Sequence, residues 1–310
     1  MSDLQWIFLK SNIMKITLWF AAITILLTFI YWKDLNCTTN AGPSTPETEK
    51  NKGKKDKKKD KQETAPASEV EIIKQWDLPE ELKEVSGIAY LSKDRFACVQ
   101  DEKGVIYIYN TGSGSIEKQI PFAGPGDYEG IAVNGNTAYV VTADGELYQV
   151  SLEGKTNVRQ FKTSLTAEHN VEGLSFDKKN NRLLLAIKDY APGITGYKGV
   201  YAFDLRTNTM VANPVMKIDM SHSLLKKQNK KKDQVMPSEI GIHPITNEIY
   251  VTDGPNSRLL ILTESGETRQ VLELGKSFSQ PEGISFSPEG EIFISNEGAK
   301  GAGNIIKVAI

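Results

Sequence analysis

One motif recurs five times along this chain and limits what the chain can fold into. In each copy a glutamate stands at or next to the start of a short apolar run that contains glycine. The five motifs are Glu84-Val85-Ser86-Gly87-Ile88, Glu129-Gly130-Ile131, Glu172-Gly173-Leu174, Glu239-Ile240-Gly241-Ile242 and Glu282-Gly283-Ile284. Successive glutamates are 45, 43, 67 and 43 residues apart, which is the length of a four-stranded repeat unit. The spacing predicts an array of similar sheets.

The runs inside each unit have the two-residue period of β-strands. The first unit contains four short apolar runs separated by turn residues, at 87–90, 95–99, 105–109 and 116–122. The second unit repeats this order, and its pairs Asn134-Gly135 and Asp144-Gly145 are typical of hairpin turns. Four-stranded antiparallel sheets repeated around an axis predict an all-β fold, the β-propeller.

The two ends of the array indicate how many blades there are. The last unit has three apolar runs, at 284–286, 292–295 and 305–310, and an unused run at 70–78 precedes the first motif. We expect that run to complete the last sheet and close a five-bladed ring. A six-bladed ring is the alternative, and it needs a degenerate blade inside the 67-residue interval, where the Lys-rich stretch 226–232 is more typical of a loop.

The first part of the chain has no globular character. Residues 16–32 form an uncharged apolar run between Lys15 and Lys33, which predicts a transmembrane anchor over residues 1–33 with its amino terminus in the cytoplasm. A cleaved signal peptide is the alternative, although Asp34 and Asn36 fit poorly at a small-residue cleavage site. Residues 34–68 are Pro- and Lys-rich and lack large apolar side chains, so we expect a disordered tether before a propeller domain at 69–310.

The charge distribution argues against nucleic acid as a partner. Residues 1–68 contain 11 Lys and 7 acidic residues and so carry a charge of +4. Because the whole chain has a charge of −2, the remaining residues carry −6. A nucleic-acid-binding domain needs a basic face, which this mildly acidic domain does not predict. The lysines of the tether could instead be attracted to anionic lipid head groups near the membrane.

The repeated glutamates are the leading candidates for a functional site. In a closed ring Glu84, Glu129, Glu172, Glu239 and Glu282 would face one axis, where ionised carboxylates repel each other unless they are protonated, separated by hydrogen bonds or neutralised by a cation. Oxygen ligands in a roomy ring suit Ca²⁺. The alternative is that each glutamate accepts backbone N–H bonds from the neighbouring blade and ties the ring together.

A second acidic set follows the second strand of the units, on the same predicted face. These residues are weaker candidates for metal ligands, since Asp is common in turns. The set consists of Asp101, Asp144, Asp189 and Asp253, with Asn296-Glu297 in the last unit.

Three further residues are candidates for catalysis. His169 lies three residues before Glu172 and could exchange protons, while Lys188 and Arg258 could hold an anionic group. Neither a nucleophile elbow nor a phosphate-binding loop is present in the sequence, and the two cysteines suggest no disulfide framework. Two functions remain open: a non-catalytic module that binds Ca²⁺ and a ligand or protein partner, and a Ca²⁺-dependent hydrolase of phosphoesters or lactones.

The ordered set of five motifs resembles the SdiA-regulated (YjiK/CarP-like) propeller family over roughly residues 70–310. Single motifs are also similar to those of NHL and gluconolactonase-type propellers. The resemblance implies a bacterial envelope protein with a propeller domain and a connection to calcium, sometimes called phytase-like. With the predicted anchor through residues 16–32, it implies a single-pass protein of the inner membrane whose propeller lies in the periplasm and meets an unknown protein or a small anionic ligand.

Overall fold

The computed structural model describes residues 70–153, 157–226, 234–298 and 300–310. Within these ranges the chain forms strands joined by turns, with three single-turn 3₁₀ helices at Glu80–Leu82, Ser223–Leu225 and Gly254–Asn256. The strands, in chain order, are β1 (Glu71–Asp77), β2 (Val85–Ser92), β3 (Arg95–Gln100), β4 (Lys103–Asn110), β5 (Ser115–Pro125), β6 (Tyr128–Asn134), β7 (Thr137–Thr142), β8 (Glu146–Ser151), β9 (Arg159–Lys162), β10 (Val171–Asp177), β11 (Arg182–Ile187), β12 (Tyr197–Asp204), β13 (Thr209–Met210), β14 (Met216–Asp219), β15 (Pro237–Ile242), β16 (Ile249–Asp253), β17 (Arg258–Leu262), β18 (Thr268–Glu273), β19 (Pro281–Phe286), β20 (Ile292–Asn296) and β21 (Asn304–Ala309).

The strands form five antiparallel sheets arranged as the blades of a ring. Blades 1 and 2 are β2-β3-β4-β5 and β6-β7-β8-β9, blade 3 is β10-β11-β12 with β13 and β14, blade 4 is β15-β16-β17-β18, and blade 5 is β19-β20-β21-β1. The first strand of each blade contacts the first strand of the next, and β19 of blade 5 contacts β2 of blade 1. This closure confirms the predicted all-β, five-bladed β-propeller.

Blade 5 is built from both ends of the domain. Strand β1 pairs antiparallel with β21, from Glu71 opposite Ala309 to Asp77 opposite Asn304. The run at 70–78 therefore completes the last sheet, as the sequence predicts. The six-bladed alternative is wrong, because β13 and β14 in the long interval both pair with β12 and so extend blade 3.

The apolar core lies between neighbouring blades. Ile88 packs with Phe96 and Phe293 in the cluster between blades 5 and 1. The next residue, Ala89, packs with Ile131 in the cluster between blades 1 and 2. Adjacent residues of one strand point to opposite faces, so each first strand supplies side chains to the two clusters beside it.

Glycines near the start of the first strands allow these strands to approach each other. A Cβ atom on Gly130 would lie 2.7 Å from the Cβ of Leu174 and 2.9 Å from the backbone oxygen of Glu172, in the next blade. The approach leaves no room for a side chain. The same close approach at Gly87, Gly173 and Gly283 explains the glycine in four of the five motifs.

We expect Gly130→Ala to lower the free energy of unfolding by about 1–3 kcal/mol, the usual cost of forcing an extra methyl group into a packed site. Gly124→Ala is the matched control, because a Cβ atom there meets nothing within 4 Å. Urea unfolding of the two variants measures the difference. Equal destabilisation of both would show that the approach of the first strands does not require Gly130.

The predicted anchor, residues 1–33, and the predicted tether, residues 34–68, lie outside the described residues. In the part of the chain that the structure does describe, no helix is long and apolar enough to cross a membrane.

Candidate functional site

A β-bulge interrupts the first strand of every blade near its start. In β6, for example, Tyr128 pairs with Thr142 and Gly130 pairs with Val141, which leaves Glu129 as the extra residue. A bulge redirects the side chain of the extra residue and bends the strand. The extra residues of blades 1 to 5 are Ser86, Glu129, Glu172, Ser238 and Glu282.

The five repeated glutamates are therefore not structurally equivalent. Three of them occupy the bulge position, whereas Glu84 precedes strand β2 and Glu239 follows the bulge of β15. The other two bulge positions hold Ser86 and Ser238. Their hydroxyl groups donate hydrogen bonds of 2.6 Å to the backbone oxygens of Tyr128 and Pro281, respectively. These serines join blade 1 to blade 2 and blade 4 to blade 5.

An acidic pocket of about 140 Å³ lies at this end of the first strands. Its lining includes four of the five predicted glutamates, one of the four predicted aspartates and one of the three predicted catalytic residues. The lining consists of Glu84, Val85, Ser86, Asp101, Glu129, Glu172, Lys188, Gln280, Glu282 and Glu297. Six carboxyl groups and one ammonium group thus share a small space.

Burial and mutual repulsion favour the protonated form of the glutamates at the bulges. Burial, followed by the charges of Glu172 and Asp127, raises the pKa of Glu129 to about 9. Burial and the charge of Glu172 likewise raise the pKa of Glu282 to about 7, although Lys188 opposes the shift. Burial also raises the pKa of Glu172, against the opposing effect of Lys188. At neutral pH the pocket therefore retains protons that ordinary carboxylates would lose.

Lys188 is the counter-ion of the pocket. Its Nζ lies 3.0 Å from Oε1 of Glu172. Burial lowers the pKa of Lys188, but Glu172 and the other nearby glutamates outweigh it, so the pKa stands above its usual value. The Nζ of Lys198 donates a hydrogen bond of 2.5 Å to the backbone oxygen of Lys188 and lies 3.9 Å from the centre of the Tyr190 ring. This contact fixes the backbone from which Lys188 reaches the pocket.

Glu239 has a different role from the glutamates of the pocket. It is fully buried, and its Oε1 accepts hydrogen bonds from the backbone N–H groups of Leu174, at 2.5 Å, and Ile240, at 2.9 Å. Burial holds the pKa of Glu239 well above its usual value. Glu239 thus ties blade 3 to blade 4, which is the second of the two roles predicted for the glutamates.

Arg258 and Asp253 form a buried ion pair and do not line the pocket. The side chains are 1% and 0% exposed, and Nη2 and Nε of Arg258 donate hydrogen bonds of 2.5 and 3.0 Å to Oδ2 of Asp253. Each charge is already neutralised by the other. The structure therefore does not place Arg258 where it could hold an anion beside the glutamates.

The remaining candidates also lie outside the acidic pocket. Oδ1 of Asp144 accepts a 2.5 Å hydrogen bond from the hydroxyl of Thr142. Nδ1 of His169 accepts one of 3.1 Å from the backbone N–H of Thr166. Asp189 is likewise not among the residues that line the pocket. These contacts are ordinary turn chemistry.

Comparison with known proteins identifies the family. Residues 62–300 match the family model described as SdiA-regulated, which covers most of the chain. The chain belongs to the SdiA-regulated family. Among curated proteins, no sequence matches this SdiA-regulated propeller.

Solved structures share the fold at low sequence identity. The glutaminyl cyclase of Myxococcus xanthus superposes with a TM-score of 0.55 at 14% identity, over 77% of this chain and 95% of that chain. A protein of unknown function from Bacteroides thetaiotaomicron superposes with a TM-score of 0.49 at 12% identity, over 77% of this chain and 73% of that chain. A luciferin-regenerating enzyme superposes with a TM-score of 0.47 at 10% identity, over 78% of this chain and 95% of that chain. At 14% identity the superposition on the glutaminyl cyclase supports the fold alone, and the chemistry has to be argued from the site itself.

The donor atoms of the pocket in this SdiA-regulated propeller fit a hard cation. All of its polar side chains except Lys188 offer oxygen, which Ca²⁺ prefers, and Oδ1 of Asp101 is buried without a hydrogen-bond partner. Among the described residues, no three His, Cys, Asp or Glu side chains already converge in a metal-binding arrangement. Binding therefore requires carboxyl groups to lose protons and turn towards one point.

Proposed function

We propose that this SdiA-regulated propeller is a binding module that takes up Ca²⁺ in the acidic pocket and presents the same face to a ligand or protein partner. The observation that carries the proposal is the cluster of six carboxyl groups around a single lysine, in a pocket of about 140 Å³. A cation would relieve the repulsion that now keeps some of these groups protonated. A binding function of this kind does not require a set of catalytic groups with different roles.

The residues that would hold the ion are the three glutamates at the bulges, with Asp101 and Glu297 within the same lining. The three glutamates stand at equivalent bulge positions of blades 2, 3 and 5, and in this proposal rotation of their side chains brings the carboxyl groups together. Lys188 would then exchange its contact with Glu172 for water or for an anionic group of a partner. Ca²⁺ tolerates the irregular geometry that such a set provides.

The proposed setting is the envelope of a bacterium. The anchor through residues 16–32, the tether and the periplasmic location are proposals from the sequence, in which an uncharged run precedes a Lys-rich segment. A compartment outside the cytoplasm supplies the calcium concentrations that a weak, partly protonated site needs. Protease protection of a tag at Ile310 in spheroplasts tests this placement: a tag that is cleaved without breaking the membrane supports it, and a shielded tag contradicts it.

Two single substitutions distinguish a glutamate of the acidic pocket from the glutamate that joins blade 3 to blade 4. We expect Glu172→Gln to weaken Ca²⁺ binding by about tenfold or more, because it removes one charged ligand from the set. Glu239→Gln should leave the affinity within about twofold, since Glu239 lies outside the pocket lining and glutamine keeps an oxygen acceptor for the two backbone N–H groups. Calorimetric titration of the full-length chain measures both. Equal loss in the two variants would contradict the assignment of the pocket.

A Ca²⁺-dependent hydrolase is the second candidate, and one observation favours it. Burial and charge separate the pKa values of neighbouring carboxyl groups, so that Glu129 holds a proton near neutral pH while Glu282 exchanges one. Pairs of this kind can act as acid and base. Lys188 would hold an anionic group of the substrate, and bound Ca²⁺ would polarise an oxygen.

The hydrolase candidate has a direct test. We expect hydrolysis of a phosphoester or a lactone at pH 7 with millimolar Ca²⁺, and at least a hundredfold loss of turnover in Glu282→Gln, as for other general acids and bases. Glu239→Gln serves as the control, because Glu239 is also a buried glutamate but lies outside the pocket lining. If a panel of phosphoesters and lactones shows no turnover above buffer, the hydrolase reading is to be dropped and the binding module retained.

A further inference from the structure

A second cavity lies at the other end of the five first strands. It has a volume of about 380 Å³, within the range of about 300–1,000 Å³ that is typical of small-molecule sites. The residues four positions beyond the five bulges all line it, and all are apolar or aromatic. They are Tyr90, Val133, Phe176, Ile242 and Phe286.

Small side chains keep this space open. The residues three positions beyond the bulges also line the cavity, and none is larger than serine. They are Ala89, Ala132, Ser175, Gly241 and Ser285. The hydroxyl of Ser285 accepts a 2.8 Å hydrogen bond from the backbone N–H of Tyr90, which joins blade 5 to blade 1 beside the cavity. The same positions in all five blades thus build one walled cavity around the axis.

The charge of this cavity is opposite to that of the acidic pocket. Of the described residues, Lys178 is the one charged residue among those that line it. Lys178 is exposed, and none of the ion pairs formed by the described residues includes it. An apolar wall with a single free ammonium group at its edge complements a ligand that has an apolar body and one negative charge.

We propose that this cavity binds an amphipathic anion, with an apolar chain among Tyr90, Phe176 and Phe286 and a carboxylate at Lys178. This site is separate from the proposed calcium site and does not depend on it. Burial of the chain supplies most of the affinity, because transfer of apolar surface from water is favourable in proportion to its area. The exposed lysine contributes selectivity for an anion over a neutral or cationic compound of the same length.

Photo-labelling of the full-length chain locates the ligand directly. The probe is a decanoate analogue with a diazirine at the far end of the chain, and excess decanoate is the competitor. We expect competed label on the peptides that contain residues 88–91, 131–133, 174–176, 240–242 or 284–286. Competed label confined to other parts of the chain would overturn the proposal, and so would label that decanoate does not displace.

Two variants test the cavity and its charge independently. Ser175→Phe should reduce labelling about tenfold or more by filling the cavity, provided that its thermal unfolding temperature matches that of the wild type. Lys178→Gln should weaken competition by decanoate about two- to fivefold, the value of an exposed ion pair, and leave competition by decanol unchanged. Lys179→Gln is the matched control, because Lys179 pairs with Glu264 and lies outside the cavity lining. If Ser175→Phe does not fold, Lys178→Gln remains decisive, since equal effects of the two lysine variants contradict the proposal.

Discussion

Replacing Arg258 by methionine is expected to lower the free energy of unfolding by about 3–5 kcal/mol, the usual effect of removing one partner of a buried ion pair. The Arg258 and Asp253 side chains are 1% and 0% exposed, so water cannot solvate the remaining carboxylate. Asn256 and the backbone N–H of Met236 also donate to Asp253, but two neutral donors do not replace a guanidinium. Urea unfolding of the full-length chain, followed by circular dichroism, measures the loss.

Arg182→Met provides a matched control for this prediction. Arg182 also pairs with an aspartate five residues earlier, Asp177, at 2.8 Å, but its side chain is 28% exposed. We expect a loss of about 1 kcal/mol or less there, because water screens and partly replaces the pair. Similar losses at the two arginines would show that burial does not determine the strength of the pair in blade 4.

The second large effect concerns pH. Glu129 and Glu282 have pKa values of about 9 and about 7 in the folded chain, both above the ordinary value of 4.5. Between pH 5 and 9 the folded state therefore binds more protons than the unfolded state. Its stability falls as the pH rises, by about 1.4 kcal/mol per pH unit for each proton that differs. We expect the unfolding temperature in a Ca²⁺-free buffer to decrease steadily from pH 5 to pH 9.

The loss of stability between pH 5 and pH 9 differs from the effect of a carboxylate with a lowered pKa, which acts at acidic pH. Asp177 has a lowered pKa, since the hydrogen bonds and charge from Asn180 and Arg182 outweigh its burial, so its contribution is lost only at acidic pH. Glu129→Gln should flatten the decrease above pH 7, because it keeps a neutral side chain at every pH. A wild-type unfolding temperature that rises from pH 5 to pH 9 would contradict the account of the pocket.

The fold was predictable because its signals are periodic and local. The spacing of the glutamate-glycine motifs gives the number of units, and the unused run before Val85 shows how the ring closes. Hairpin turns such as Asn134-Gly135 mark the boundaries of strands. The prediction of five blades leaves no separate blade in the long interval between Glu172 and Glu239, as the structure confirms, although the sequence does not show that β13 and β14 both pair with β12.

The site was predictable in outline, and its details depend on strand register. Sequence alignment by glutamate treats Glu84 and Glu239 as equivalents of Glu129. However, Glu84 stands two residues before the bulge position of its blade and Glu239 one residue after it, so serine occupies the corresponding positions of blades 1 and 4. In blade 1 the glycine does report the offset, because Ser86-Gly87-Ile88-Ala89 aligns with Glu129-Gly130-Ile131-Ala132. In blade 4 no glycine follows Ser238 directly, so the sequence gives no such signal there. The structural comparison of the five first strands is needed to distinguish a pocket carboxyl group from a tie between blades.

Charge pairing explains which of the predicted basic residues line the pocket. Arg258 and Lys188 both follow a second strand, yet Arg258 is held by Asp253 within its own blade. The spacing of five residues between aspartate and arginine, which recurs at Asp177 and Arg182, is the signal that could have indicated this pair. Lys188 has no such partner in the turn and reaches Glu172 instead.

The most direct test of the calcium-binding proposal is calorimetric titration of the full-length wild-type chain with Ca²⁺ at pH 8, in two buffers of different ionisation enthalpy. Glu129, with a pKa of about 9, must lose its proton when the pocket takes up the ion, whereas most of Glu282 is already ionised. We predict saturable binding of one Ca²⁺ at millimolar concentration or below, with release of about one proton, as the two pKa values require. No saturable heat up to several millimolar Ca²⁺, or binding without proton release, would contradict the proposal.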